Sequence, residues 1–445
     1  MFKVLRRYWW VTKSFFARHY QIVFRTTLIV LSLFAIFFFF ARYFPSPKQT
    51  LRLGRIGKYT LLDFPLDIQT KISSGLVSVG QDGIVKPGLA KTWEVKDNGT
   101  TYIFALDQDQ TWHNGTSVSV EDITFNFKDV EIERGDNTIT YRLKEPFSPF
   151  FSAVSRPLLK MDKLGTKDYR LTNTQIGNGV IQSLQIENDT QRLVYKFYPT
   201  ESSALTAYKL GDIDAIEGLS FVPPKISADP TTQVQNNETT QNRQSVLFFN
   251  NNDLLLSNKS TRQALAYAIE DKTFGKERSF SPIDQDSWAY NSLIKTYDFD
   301  AEKAKSLFTQ DNQTPASVNL EIKTILQYLD VAESIAESWR KVLGVSVSVK
   351  VVSNMMSSDY QVILADFTAP IDPDQYTIWH STQATNFTHF SNLKIDKLLE
   401  DGRRTSDQKL RKEIYQDFQR FLLEDCPAVF LFKSNSYTLT RKPLF

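Results

Sequence analysis

The chain has 445 residues, 41% of them hydrophobic and 23% charged, enough for two or three domains around a large buried core. Its 52 Lys and Arg stand against 50 Asp and Glu, a balance that excludes a broad nucleic-acid surface. The single cysteine, Cys426, excludes an intramolecular disulfide and is compatible with either redox compartment.

The basic excess is local. Lys3, Arg6, Arg7, Lys13, Arg18 and Arg25 all precede the first acidic residue, and residues 26–41 then carry no charge and include four consecutive phenylalanines. Residues 1–21 read as a cytoplasmic basic arm and residues 22–44 as one transmembrane signal anchor, with Arg25 snorkelling and Trp9, Trp10 and Tyr43 at the interfaces. The apolar run ends Phe40-Ala41-Arg42-Tyr43, a poor cleavage site, so an uncleaved anchor is favoured over a signal peptide. The expected location is the cell membrane, single-pass, with the main domain extracytoplasmic. Residues 45–50 form a short proline-containing tether.

Leu51, Arg52, Leu53 and Gly54 alternate as a first strand. Asp97-Asn98-Gly99 lies between two β-rich runs, at residues 92–95 and 101–106, and signals a hairpin. Residues 112–116 make a further turn, and Ser119 stands three residues before Asp122 in capping-box spacing, which predicts a helix start. A strand is predicted over 137–143 and a turn at Ile176-Gly177-Asn178-Gly179. A helix from Glu201 presents Ala204, Leu205 and Tyr208 on one face, stops near Gly211, and is followed by a strand through Asp212-Ile213-Asp214-Ala215. Residues 227–243 are rich in Gln, Asn and Thr and read as a surface loop. An apolar strand over 246–250 and a helix over 261–269 burying Leu265, Ala268 and Ile269 come next. A buried strand over 357–364 leads to Asp372-Pro373-Asp374, and helices over 396–404 and 408–423 close the series. The last has an apolar stripe of Leu410, Ile414, Phe418, Phe421 and Leu422.

Catalytic chemistry finds no support in the motifs: GxSxG, P-loop, Rossmann and HExxH patterns are absent. His19, His113, His380 and His389 are too scattered for a zinc site, and neither cofactor nor metal is expected. Cys426, before a proline, reads as a buried structural thiol. The chain is therefore read as a non-enzyme.

The run PGLAKTWEVKDNGTTYIFALDQDQTWHNGTSVSVEDITFNF, Pro87 to Phe127, resembles the signature of the family 5 extracellular solute-binding proteins, the peptide-binding components of ABC importers. A second stretch agrees with the same family through Asp372-Pro373-Asp374, Tyr376, Ser381, Asn386, Ser391-Asn392, Asp396, Leu398-Leu399-Glu400, Arg403, Asp407, Arg411, Tyr415, Gln419, Asp425 and Pro427. The similarity extends from about Leu51 to Phe432. It implies an α/β, two-lobed periplasmic-binding-protein fold of the large, peptide-binding type, with a small inserted domain. The expected divisions are 51–86 and 176–246 for the first lobe, 87–175 for the insert, 247–430 for the second lobe, and a return to the first lobe over 431–445. The insert is short between Val130 and Ile139, where the family carries more chain.

The implied function is capture of a peptide or similar small ligand in an interlobe cleft and delivery to ABC permease subunits. The alternatives are a non-transport receptor or cell-envelope interaction protein on the same fold, and an extracytoplasmic hydrolase for which no nucleophile–base pair is found. The partners expected are the ligand, the permease and, through the N-terminal helix, the membrane; nucleic acid is not among them. The family's peptide binders usually place an Asp three residues before the Asp of the DP dipeptide, paired to the peptide amine. That position is Ala369 here, and the Trp often found three residues further back is replaced by Asp366. An amine in a dry cleft needs a charged partner, so Asp366 or Asp372 would serve unless the ligand is not an ordinary peptide. Asp372 and Asp374 also fit plain Asx-turn and helix-cap chemistry. Trp112 and Trp379 are candidate cleft walls, Trp93 is expected in a core, and Asn386 and His389 are expected to approach the ligand from the facing loop.

Overall fold

The computed structural model describes residues 2–41, 48–61, 63–80, 82–125, 127–161, 163–237, 242–309, 317–352 and 360–442. The chain forms two compact units: residues 1–49 with 189–191, and the remainder. In the first, α1 (Phe2–Ala41) loses helical geometry at His19 (φ −119°, ψ 17°). Among the described residues no single helix is long and apolar enough to cross a membrane. A pair bent by 62°, Lys13–Ile22 and Phe24–Ile36, passes on length and composition together. The one continuous span expected over 22–44 is therefore not borne out: the helical stretch breaks between Ile22 and Phe24, just inside the expected start of the span. Residues 42–47, with most of the expected tether, lie outside the described residues.

The sheets begin with β1 (Gln49–Ile56), followed by α2 (Leu66–Ile72) and the hairpin β2 (Val77–Val79) and β3 (Val85–Pro87). A four-stranded antiparallel sheet comes next, from β4 (Ala90–Lys96), β5 (Thr101–Leu106), β6 (Val130–Arg134) and β7 (Thr138–Leu143) in the order β4-β5-β7-β6. The β4–β5 turn places Asp97, Asn98 and Gly99 all at positive φ, a conformation that Asn, Asp and Gly tolerate best. Lys96 pairs with Thr101, as the hairpin signal implied. The capping box at Ser119 and Asp122 forms, but it opens only a single 3₁₀ turn before the chain extends at Ile123. Asp122 is shared with Trp112 and Lys160, which ties the turn to neighbours other than a helix. α3 (Phe150–Val154) packs Phe150 against Tyr102 and Tyr141 over this sheet.

Returning strands β8 (Arg170–Gly177), β9 (Val180–Glu187) and β10 (Gln191–Tyr198) lead to α4 (Glu201–Lys209), β11 (Ala215–Leu219), α5 (Pro224–Ser227) and β12 (Thr232–Asn236). The Thr200 hydroxyl caps α4 by accepting from the Ser203 N–H at 3.2 Å. β12 lies in the stretch expected to be loop; its polar sequence suits a sheet edge, where one mostly exposed row of side chains needs no apolar period.

The final third contains β13 (Arg243–Phe249), α6 (Lys259–Tyr267), α7 (Ala301–Thr309), β14 (Asn319–Thr324), α8 (Leu329–Leu343), β15 (Ser346–Val351) and β16 (Val362–Thr368). It ends with α9 (Tyr376–Trp379), α10 (Leu393–Arg404), α11 (Gln408–Asp425), β17 (Ala428–Lys433) and β18 (Tyr437–Arg441). Two larger sheets result, seven strands ordered β12-β18-β11-β1-β10-β9-β8 and five ordered β15-β14-β16-β13-β17. In the five-stranded sheet Leu247 and Phe249 of β13 enter a core with α6 and α8, while Val246 and Phe248 enter one with α10 and α11. Burial on both faces explains the unbroken apolar run, and each buried phenylalanine contributes roughly 1.5–3 kcal/mol by transfer. In α11 the buried face is Arg411, Tyr415, Phe418, Gln419, Leu422 and Leu423, and Leu410 is exposed. The stripe read from apolar residues alone was thus rotated, because buried Arg411 and Gln419 are satisfied by hydrogen bonds.

Chain passes between the two large sheets twice, after β12 and after β17. The passages lie together: the Asn237 N–H donates to Ser436 O at 2.7 Å and the Ser434 N–H to Arg243 O at 2.8 Å. The sequence divisions after residues 175, 246 and 430 fall inside β8, β13 and β17.

Candidate functional site

In an open α/β sheet the crevice beyond the carboxyl ends of the parallel strands is the usual place for a ligand. Here β14 runs parallel to both β15 and β16. Beyond β14 the chain turns through a 3₁₀ segment, Leu326–Tyr328, into α8. Near the end of β16 stands Asp366, opposite Ser245 of β13 in register, while Arg243 opposes Thr368. Alternation along β13 places Arg243 and Ser245 on one face. Ser434 joins from the second passage between sheets.

Asp366 is the hub of this edge. It accepts hydrogen bonds from the Tyr328 hydroxyl and from Ser434 Oγ at 2.7 Å. Gln327 Nε2 stands 3.5 Å away and Arg243 Nε 3.7 Å away. Burial, reinforced by the adjacent carboxylate, pushes the Tyr328 hydroxyl above its ordinary range, so it remains a donor. Lys276 has its ammonium pushed down by burial and by Arg243, with Asp366 opposing, and its Nζ lies 4.6 Å from the Phe432 ring centre. The edge gathers two cations, one carboxylate and three hydroxyls beside the paired passages.

The Asp-Pro-Asp turn lies elsewhere. Asp372 accepts two bonds from Arg411, at 2.9 and 2.5 Å, and one from the Asp374 N–H at 2.9 Å. Asp374 accepts from the Tyr376 N–H at 3.1 Å and from Arg403 Nε at 3.0 Å. Burial pushes the Asp374 carboxyl up, with Arg403 opposing. For Arg411, burial alone would depress the guanidinium, but Asp372 outweighs it and the pKa is raised. Asx-turn, helix-start and ion-pair chemistry therefore occupy both carboxylates. Asp372 also borders a cavity of about 430 Å³ with Arg411 and Trp288 on one side and Val95, Tyr102 and Phe151 of the four-stranded-sheet region on the other.

The other expected site residues are dispersed. Trp112 is 1% exposed, packed in the core of the four-stranded sheet, and donates Nε1–H to Asp122 at 2.8 Å. Trp379 is equally buried, in the core beside α10 and α11, and donates to Gln375 Oε1 at 2.8 Å. Neither forms a cleft wall, because each indole finds both its apolar surroundings and its acceptor inside the protein. Asn386 is also buried, and its Nδ2 donates to Phe390 O at 2.8 Å, closing its own loop and not reaching outward. His389 is exposed at φ +52° and stacks on Tyr360. Ala369 is buried, with its N–H on Asn242 O at 2.9 Å. Trp93 is half-buried against Phe151.

Reasoning from sequence passed over Arg243, Tyr328, Ser434 and Lys276. The one available signal was Arg243, a cation opening the apolar run Val246-Leu247-Phe248-Phe249, where a charge must find a partner or a ligand.

Two α/β halves joined by paired passages, with a polar cluster at the carboxyl edge of one, define a periplasmic-binding-protein fold. The family pattern "Bacterial extracellular solute-binding proteins, family 5 Middle" matches residues 85–131 and 187–388. The chain belongs to that family and is a solute-binding protein. It is 23% identical to the Escherichia coli protein named "Probable D,D-dipeptide-binding periplasmic protein DdpA", over 93% of this chain and 94% of that one. Among solved structures it resembles NikZ from Campylobacter jejuni in complex with Ni(L-His), at TM-score 0.75 and 22% identity over 89% of this chain and 95% of the other. The oligopeptide-binding protein AppA from Bacillus subtilis, in complex with a nonapeptide, superposes at TM-score 0.68 and 19% identity over 89% and 95%.

Proposed function

We propose that this protein captures a peptide or a similar small ligand outside the cytoplasm and hands it to ABC permease subunits. The polar edge around Asp366 carries the reading, because it sits where both passages between the sheets meet. A ligand bridging the halves there would favour closure of one upon the other, by differential affinity for the closed state. On this reading the first lobe comprises the seven-stranded sheet, the second lobe the five-stranded sheet, and residues 90–169 the insert. Asp366 is the better candidate for pairing a ligand amine, since Asp372 is already engaged twice by Arg411. The related proteins' names support peptides as the first class to test, and the nickel–histidine complex of NikZ supports small amino-acid-like ligands as the second.

The bent pair within α1 is proposed as the membrane anchor. Its exposed Leu31, Leu33, Phe34 and Ile36 suit lipid, and tethering would raise the effective concentration near a permease. Alanine at position 369 is the observation that favours the alternative, a receptor or cell-envelope interaction protein that does not pass its ligand on. Thermal melting of the full-length protein in mild detergent, with and without a mixture of di- to pentapeptides, tests capture. An upward shift is expected; no shift with peptides or with histidine-chelated nickel would reject capture at this edge.

A further inference from the structure

The four-stranded-sheet region, residues 90–169, is held very differently on its two sides. Toward the seven-stranded sheet it is fused through the segment 68–77. Ile68 and Ile72 lie in the core of that sheet with Leu184 and Tyr195, and Leu76 and Val77 lie in the core of the four-stranded sheet with Tyr102 and Phe150. Backbone bonds close the join: Leu76 N–H to Val154 O at 2.9 Å, Leu89 N–H to Gly75 O at 2.8 Å, and Lys167 N–H to Ile72 O at 3.0 Å. A Cβ on Gly165 would stand 2.0 Å from Ile72 O, so the two backbones meet with no room for a side chain. A join this close and this apolar moves as one body.

The other side meets the second half through polar and cation–ring contacts. Among the described residues, no hydrophobic core takes side chains from both residues 90–169 and residues 280–425. The Ser148 N–H donates to Arg403 O at 2.7 Å and its hydroxyl donates to Thr405 O. Arg404 pairs with Glu145 at 2.7 Å, both residues being exposed. The Arg403 guanidinium lies 5.1 Å from the Phe147 ring centre. The interface is also incompletely filled, since it encloses the cavity of about 430 Å³ between Val95, Tyr102 and Phe151 on one side and Trp288 and Ser406 on the other. Polar, loosely packed contacts between parts of one chain are the kind that come apart.

We propose that Glu145 and Ser148 are the catch of a reversible latch, which grips residues 403–405 when the two halves close on a ligand and releases them when the halves open. The inference rests on the reading that the chain captures a small solute by closure at the Asp366 edge. Catch and edge are joined by a short path. β16 carries Asp366 and runs on into Asp372-Pro373-Asp374, where Asp374 accepts from Arg403 Nε at 3.0 Å; Arg403 is also the residue whose carbonyl receives Ser148. Residues 90–169 thus favour the closed state, and prolong ligand retention, without touching the solute. An exposed ion pair shifts such a two-state balance by up to about 5-fold, and the Ser148 bonds fix where the pair meets.

The test places spin labels at exposed Glu131 and Lys305, as E131C and K305C, in the full-length protein in mild detergent; Cys426 is fully buried. Pulsed dipolar spectroscopy then reads the separation of the four-stranded-sheet region from the second half, with a mixture of di- to pentapeptides as the probe. At low salt, adding peptides should move the labelled protein toward the shorter of two distances. E145R and R404E should each lower the ratio of short to long distances about 5-fold. The two reversals together should restore it, a rescue that a general loss of stability would not give. Single reversals that lower the ratio with no rescue in the pair overturn the Glu145–Arg404 assignment. Peptide-driven shortening that is equal with and without the reversals overturns the latch and leaves solute capture intact. No response to peptides without the reversals overturns capture by closure; the latch then stands if a single reversal lengthens the distance and falls if neither does.

Discussion

Lys272 gives the fold a pH dependence that can be worked through from its surroundings. Its side chain is 6% exposed and its Nζ donates to Ile269 O at 2.7 Å. Burial, with Arg278 adding repulsion and Asp298, Cys426 and Asp271 opposing, pushes its pKa down to about 7. In the unfolded chain a lysine titrates near ~10.4. Between those two values the unfolded state holds one more proton, so stability rises with pH across the window and is lost as pH falls toward 7. At about 1.4 kcal/mol per pH unit, the change from about pH 8.5 to about pH 7 costs about 2 kcal/mol, with little further loss from this group below. K272M removes the titration. It gives up one hydrogen bond to Ile269 O, about 1 kcal/mol, and avoids the buried charge. Urea unfolding of both proteins at about pH 6, 7.5 and 8.5 should show the variant gaining on the natural protein by about 2 kcal/mol between the highest and lowest pH. Parallel profiles would refute the reasoning and mean that Lys272 stays charged at no cost.

Removing the carboxylate charge in D372N should destabilise the protein by about 3 kcal/mol, because Arg411, with a side chain only 8% exposed, would be left buried without its partner; urea unfolding that matches the natural protein would show the pair to be dispensable. Cys426 is fully buried and its thiol is pushed up to about 11 by that burial. Near pH 8 a disulfide reagent should therefore modify nothing in the native protein and one thiol after unfolding, whereas rapid native labelling would contradict the packing around α11.

Much of the architecture was legible because it rests on local rules. Asp97-Asn98-Gly99 and Asn178-Gly179 specify turns by their tolerance of positive φ, and Gly211, also at positive φ, stops the helix that begins at Glu201. The run through Phe248 and Phe249 needed a strand buried on both faces. Local rules failed where partners are distant or polar. β12 has no apolar period, since its stability comes from backbone pairing with β18 some 200 residues later. Trp112 and Trp379 carry no mark in sequence that separates a cleft wall from a core; their acceptors, Asp122 and Gln375, do that in space. Asp366 could be named, yet its setting could not, because Tyr328, Ser434 and Arg243 come from three other segments. The expected divisions after residues 175, 246 and 430 fall within β8, β13 and β17, since strand pairing across the sheets leaves no mark in local composition.

The most direct measurement of the central claim is native mass spectrometry of the full-length protein purified in mild detergent without denaturation, with identification of whatever small molecule is released. The account predicts a carried set of short peptides or one small amino-acid-like solute. A protein that is consistently empty, and that acquires no adduct when incubated with mixed peptides, would contradict solute capture.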